Sequence, residues 1–361
     1  MNSMKTKVLI GLIALLSLVL AACQPEVVTE IVVEEVEVIK EVEVIKEADA
    51  GSLVIYSGRS ESLVGPMIEQ FQAATGIEVE VRYGGTAEMA ATILEEGGNS
   101  PADVYYAQDP GGLGAISDAG LLMDVPSGIM DLVQPRFQGP TGDWVGISGR
   151  ARVVVYNTDT LNPEDLPDTL EGFTDPKWNG KIGWPPTNGS FQAMVTAMRS
   201  EWGDERTRAW LEGIQANNPI VYAKNTPTVE AVGAGEVEVG FVNHYYLYRF
   251  IAEQGEDFAA RNHFLTGGGP GSLIMVSGAG ILESSANKAN AEKFLEFMLS
   301  VPGQQYFTGQ TFEYPVVEGV KIEGALPPLS EFDGSAIDLP LSAMSDLAGT
   351  AEMLQDLGIL E

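Results

Sequence analysis

The chain is poor in the residues on which most enzymatic chemistry is built. It holds one cysteine, Cys23, and two histidines, His244 and His263, in 361 residues. One cysteine excludes an intramolecular disulfide and any C-x-x-C redox or zinc motif. A Ser-His-Asp triad would have to use His244 or His263, and no G-x-S-x-G elbow accompanies them. Neither a phosphate-cradling G-x-x-x-x-G-K-[ST] loop nor a dinucleotide fingerprint occurs. "GGGPG" at 267–271 lacks the lysine of such a loop and reads as a turn entering a strand. "SANK" at 285–288 fits S-x-x-K, but two fixed letters arise by chance, and Ser285 is expected to cap the helix that follows. Carboxylates abound without any pair marked for glycoside chemistry, and His263 reads as a packed or surface side chain. Basic residues are scarce as well. Lys and Arg number 20 against 51 Asp and Glu, a net charge of -31, which argues against a nucleic-acid partner.

What is present begins with an export signal. "MNSMKTKVLIGLIALLSLVLAAC" has a basic start (Lys5, Lys7), an apolar run from Val8 to Leu20 and small residues before Cys23. The run is short for a membrane span, which needs about 20 apolar residues. "LAAC", Leu20 to Cys23, resembles the bacterial lipobox, so Cys23 is expected to be the lipidated first residue of the mature chain, anchoring it to a membrane surface. The unit "VEVIKE" follows twice, at 36–47. Residues 26–49 hold nine acids and two lysines and read as a charged spacer. Residues 50–361 keep a charge of -26, that is -31 less the +2 of the signal and the -7 of the spacer.

From Leu53 onward strand and helix patterns alternate. "LVIYSG", "IEVEVRYGG" and "ADVYYAQ" read as strands, separated by helical spacings in "SLVGPMIEQFQAATG" and "AEMAATILEEGG". That order implies parallel strands with right-handed crossovers. A long strand in "DWVGISGRARVVVYN" leads to a second α/β set with strands at "KIGW", "PIVYAKN", "VEVGFVN" and "GSLIMVSGAGIL". Ligands of open α/β sheets sit beyond the carboxyl ends of strands. This places candidate ligand residues at Ser57–Ser60, Gln108, Asp109, Thr187–Ser190, Asn225 and Asn243–Tyr246.

One of these ends, "VNHYYLYRF", doubles a tyrosine at Tyr245 and Tyr246. Neighbouring side chains diverge in strands and helices alike, so the pair is a poor way to fill one hole. A phenol with a pKa near 10 loses its proton only to a strong Lewis acid. Ferric iron, small and trivalent, favours anionic oxygen donors. Two phenolates would leave it one positive charge, inviting an anion that backbone amides and asparagines near a helix N-terminus could hold. Packing remains the ordinary use of two tyrosines.

Several segments together resemble the ferric-ion-binding proteins of bacterial ABC importers, in the type II periplasmic-binding-protein superfamily. They are "IYSGR" (55–59), "PADVYYAQD" (101–109), "DWVGISGRARVVVYN" (143–157), "DPKWNGKIGWPPTNGSF" (175–191), "YAKNTPTVEAVGAGEVEVGFVNHYYLY" (222–248), "PGSLIMVSGAGIL" (270–282) and "EYPV" (313–316). The resemblance covers residues 53 to about 357. It implies an α/β fold of two lobes, each a mixed, mostly parallel sheet flanked by helices, with the ligand in the cleft between them. The divisions expected are a signal at 1–22, the lipidated cysteine and spacer at 23–51, one lobe at 52–150 plus about 272–326, and the other at 151–271 plus about 327–361. "RARVVVYN" and "SLIMVSGAG" are the expected crossing strands.

The same resemblance makes Tyr245 and Tyr246 the ligands of Fe3+. It lines an anion pocket for carbonate, phosphate or citrate with Asn188, Gly189, Ser190, Asn225 and Asn243. Where relatives carry a histidine and a glutamate in the first lobe, this chain has Ser60 and Gln108, and Asn188 replaces a serine or a tyrosine. Glu61, Gln108 or Asp109, or an anion held by Arg59, is expected to complete the site. The resemblance further implies a monomer that hands its cargo to an ABC permease and ATPase and does no chemistry on it. Relatives that take a phosphonate, a polyamine or thiamine supply the alternative reading. A secreted hydrolase and a surface adhesin are rivals from other classes, with no nucleophile motif for the first and no use of the tyrosine pair for the second.

Overall fold

The computed structural model describes residues 50–322, 326–328, 344 and 346–360. The signal, Cys23 and the acidic spacer lie outside the described residues.

In chain order the first elements are β1 (Ser52–Ser57), α1 (Glu61–Thr75), β2 (Glu78–Tyr83), α2 (Thr86–Glu96), β3 (Val104–Ala107), α3 (Pro110–Asp118) and the single turn α4 (Ser127–Met130). Then come β4 (Val145–Asn157), β5 (Ile182–Trp184), α5 (Gly189–Trp202), α6 (Asp204–Ala216), β6 (Ile220–Val221), α7 (Asn225–Gly233), β7 (Val239–Asn243), α8 (Tyr245–Gln254) and β8 (Ala260–His263). β9 (Ile274–Ile281), α9 (Lys288–Leu299), α10 (Val301–Gln310) and α11 (Leu347–Asp356) complete the set.

The opening β-α-β-α-β order follows from patterning. α1 buries Leu63, Val64, Met67, Ile68 and Phe71, the spacing that puts them on one face. Its end is set by Gly76, which adopts φ 72° and donates its amide to the Gln72 carbonyl at 2.8 Å. β1 pairs in parallel with both β2 and β3. The pairings turn antiparallel through the middle, from β3 to β9 and from β9 to β4, and parallel again from β7 to β5 to β6.

β4 is the strand that both sheets share. Its first part, Val145–Ala151, pairs with β9, whereas Arg152–Tyr156 pairs with β7 and Val154–Asn157 with β8. All 13 of its residues are buried. The second expected crossing strand behaves differently. β9 pairs only within the first sheet and touches the second at its start, where the Leu273 carbonyl accepts from the Arg152 amide at 2.9 Å. The segment "PIVYAKN" shrinks to two exposed edge residues, Ile220 and Val221, because α7 already begins at Asn225.

Each sheet has its own packing. Phe71 of α1 meets Phe294 of α9 edge to face at 5.1 Å in the first. In the second, Trp178, Phe191, Trp210 and Phe241 form a core joined by Met353 and Leu354 of α11. Thr196 of α5 and Thr350 of α11 share a hydrogen bond of 2.8 Å there.

Ser285 does not cap α9; Asn287 holds that position. The Ser285 hydroxyl instead accepts from the Asn287 amide (3.0 Å) and donates to Asp103 Oδ1 (2.6 Å), because the carboxylate buried just before β3 is the stronger acceptor. Asp103 Oδ2 takes the Val54 amide at 2.8 Å and the Asn287 side-chain amide at 3.2 Å. One carboxylate thus ties β1, β3 and the entry to α9. Asp103→Ala would leave three donors without their acceptor, and we expect it to lower unfolding free energy by about 3 kcal/mol. Urea unfolding with an unchanged slope is the check.

Candidate metal-binding site

β7 is apolar and buried throughout until it ends at Asn243, and α8 starts two residues later. His244 fills the joint and is wholly consumed by it. Its Nδ1 accepts from the Ala151 amide at 3.1 Å, and its Nε2 lies 2.8 Å from the Phe312 carbonyl, so Nε2 carries the hydrogen. Burial pushes its pKa down to about 3, which keeps the ring neutral. Stacked on Tyr314 at 4.8 Å, His244 pins the end of β7 to β4 and has no free nitrogen for a metal.

The first turn of α8 then sends both tyrosines the same way. Their rings stack with centroids 4.2 Å apart and planes 28° apart. Tyr245 is fully buried and Tyr246 half-buried. The Tyr245 hydroxyl has no hydrogen-bond partner among the described residues, an expensive condition for a buried phenol. Burial, and next the neighbouring Tyr246, push its pKa well above 10, while Arg59 and Arg150 act in the opposite sense.

Three buried arginines surround the pair. Arg59, from the loop after β1, donates Nη2 to Glu313 Oε2 at 2.6 Å. Arg150 donates to the Gln108 carbonyl, and Arg152 Nη1 donates to Asn243 Oδ1 at 2.9 Å. Two nitrogens on each guanidinium remain without an acceptor: Nε and Nη1 of Arg59 and of Arg150, Nε and Nη2 of Arg152. Desolvation lowers the pKa of Arg150, with Arg59 adding to the effect, and takes that of Arg152 to about 9 against the pull of Tyr245 and Tyr246. Burial also opposes the charge on Arg59, yet Glu313, Tyr106 and Tyr245 together outweigh it and the pKa is raised.

The asparagine loop gathers beside them. Asn188 caps α5, its Oδ1 accepting from the Ser190 amide at 3.0 Å and from Asn225 Nδ2 at 3.2 Å. The Ser190 hydroxyl accepts from Asn243 Nδ2 at 3.1 Å and from Gln108 Nε2 at 3.4 Å. Gly189 faces Asp109: a Cβ at that glycine would stand 3.6 Å from Asp109 Oδ2. Asn188, Gly189, Ser190, Asn225, Asn243, Gln108 and Asp109 therefore come together, and Arg59 joins the tyrosines. Glu61 does not. It is exposed in the first turn of α1, where its charge acts on Tyr83.

Sequence reasoning passed over Arg150, Arg152 and Glu313. A signal was there: residues i and i+2 of a strand share a face, and "GRARVVV" places two arginines on one face of a strand apolar enough to be buried on both. Among the described residues no three His, Cys, Asp or Glu side chains cluster as a metal site. What this region offers a cation is oxygen from the two phenols and from the single carboxylate of Asp109.

Residues 66–326 match the family described as bacterial extracellular solute-binding protein. The major ferric iron-binding protein of Neisseria meningitidis serogroup A is 33% identical over 312 residues, 85% of this chain and 93% of that one. Iron-bound HitA from Pseudomonas aeruginosa superposes with a TM-score of 0.81 at 36% identity, covering 85% of this chain and 99% of its own. A Trichodesmium protein in complex with iron and citrate superposes with a TM-score of 0.72 at 28% identity, over 85% and 99% of the two chains. The two-lobed α/β fold is that of these periplasmic binding proteins. The chain belongs to the bacterial extracellular solute-binding protein family.

Proposed function

We propose that the protein captures ferric iron on the phenolates of Tyr245 and Tyr246 and delivers it to the permease of an ABC importer. The observation that carries this reading is the stacked phenol pair, one hydroxyl buried without a partner, set among guanidinium nitrogens that lack acceptors. A neutral phenol is a weak acceptor beside such donors, whereas a phenolate is a charge-assisted one. Fe3+ is the cargo that makes them, since a hard trivalent ion displaces phenolic protons and the arginines accept the resulting negative charge. The ferric-binding relatives support the same assignment.

Two phenolates leave the ion with one positive charge, which a further anionic oxygen would cancel. An external oxyanion such as carbonate, phosphate or citrate is one source, with Asn188, Gly189, Ser190, Asn225, Asn243 and Arg59 around it; a side-chain carboxylate is another. The lobes divide within β4, at residues 52–150 plus about 272–326 against 151–271 plus about 327–361. Cargo held between them favours the closed state, which the permease reads. No step alters the cargo chemically. Export by the N-terminal signal and a lipid on Cys23 would hold the domain at the outer face of the membrane.

Two outcomes test the assignment. The full-length protein, loaded with ferric citrate and freed of excess, should show a broad visible phenolate-to-iron band. Tyr245→Phe with Tyr246→Phe keeps the ring packing, and should abolish the band and weaken iron binding by more than the ~100-fold that loss of an outer-shell partner costs. A colourless wild-type protein would overturn the reading.

The second outcome is a pH dependence. The Tyr245 pKa is held well above 10, so binding must release its proton, and each further phenol that becomes a phenolate on the ion releases one more. Acid therefore opposes binding: apparent ferric affinity should fall by about ten- to a hundredfold per pH unit between about pH 8 and pH 6. Competition against a chelator of known pH dependence measures it, and a flat profile would exclude phenolate ligation.

A further inference from the structure

Asp109 is a buried carboxylate on which Arg150 and the Gly111 and Gly112 amides bear electrostatically, but which no side-chain partner fully engages among the described residues. It precedes α3 with only 4% of its surface exposed, yet its side chain makes no capping hydrogen bond to that helix. Its Oδ1 is sealed from solvent without a partner, and no ion pair reaches it among the described residues. A carboxylate is not left in this state unless something else is to meet it. It points across to the other sheet, where Oδ2 faces Gly189, the first residue of the 14-residue helix α5. A helix start is where anions are held, by free amides and the positive end of the dipole.

The position is connected to the tyrosines on two sides. Gln108, next in the chain, reaches Ser190 at 3.4 Å, and Ser190 takes the Asn243 side chain at 3.1 Å, two residues before Tyr245. Arg150, which holds the Gln108 carbonyl, bears electrostatically on both Asp109 and Tyr245.

Resting on the ferric reading above, we infer that Asp109 is a built-in anion: its carboxylate takes the seat at the head of α5 that an external oxyanion would fill. The charges fit. Fe3+ with two phenolates carries one positive charge, and a single carboxylate cancels it. Because Asp109 comes from the loop after β3 and its seat from α5 in the other sheet, the anion is in place only when the cleft is closed. Capture and closure then become one event that needs no second solute.

The test uses the full-length protein loaded with iron and exchanged into buffer scrubbed of carbonate, phosphate and citrate. The wild-type protein should keep its iron, with a visible band whose position does not change when inorganic phosphate or citrate is returned. Asp109→Asn, nearly isosteric and an equally good helix cap, should lose iron at least about tenfold faster in scrubbed buffer and recover on adding inorganic phosphate. Recovery also shows that the variant is folded; should it not fold, the wild-type measurement decides alone. A wild-type band that disappears or shifts with the anion would overturn the role of Asp109 and leave ferric binding intact. So would a variant that retains iron like the wild type in scrubbed buffer. No band in any buffer would remove the ferric reading itself, and this inference with it.

Discussion

Three guanidinium groups buried where one strand passes between two sheets are the constraint on which the rest of this site depends. Each costs several kcal/mol to desolvate, and the return comes only from well-placed anionic partners. Arg59 has Glu313, but Arg150 and Arg152 rest on a carbonyl and an amide oxygen. The balance is positive, and the stacked phenols are the groups placed to correct it. Apolar residues at 150 and 152 would pack more cheaply. What the arginines supply is a partial offset to the burial that otherwise disfavours a phenolate at Tyr245.

That pocket needs a rigid frame, and its members reach it from far apart in the chain. β4 delivers Arg150 and Arg152 and is fixed from both ends, by β9 on one side and by β7 and β8 on the other. His244, neutral and bonded through both ring nitrogens, joins the end of β7 to β4 and to the Phe312 carbonyl. The histidine beside the tyrosines is therefore a fastening, and the direction of both phenols depends on it. Opposite them, Gln108 reaches Ser190 and Asp109 faces Gly189 at the start of α5, so residues of both sheets meet there.

Much of this was legible in the sequence because it is local. The glycine stop of α1, the alternation of β2 and the apolar run of β7 each carry their own cause within a few residues. The asparagine loop was legible too, since ligand residues collect where strands end. Glu61 was misjudged because proximity in sequence to Arg59 says nothing of direction: the chain enters α1 at that point and turns the side chain outward. Ser285 was misplaced as a cap because its partner, Asp103, is 182 residues away.

The sequence by itself determined the class of the protein: its acidity, the alternation of strands and helices, and a doubled tyrosine at a strand end. Period and composition act over short stretches, and so they can be read there. Only the tertiary structure decided which groups share the low-dielectric space around those tyrosines. A buried arginine, a sealed carboxylate and a phenol without a partner are properties of surroundings assembled from residues 59, 109, 150, 152, 245 and 313. No local rule links such positions, because desolvation and charge depend on distance in space, and the fold sets that distance.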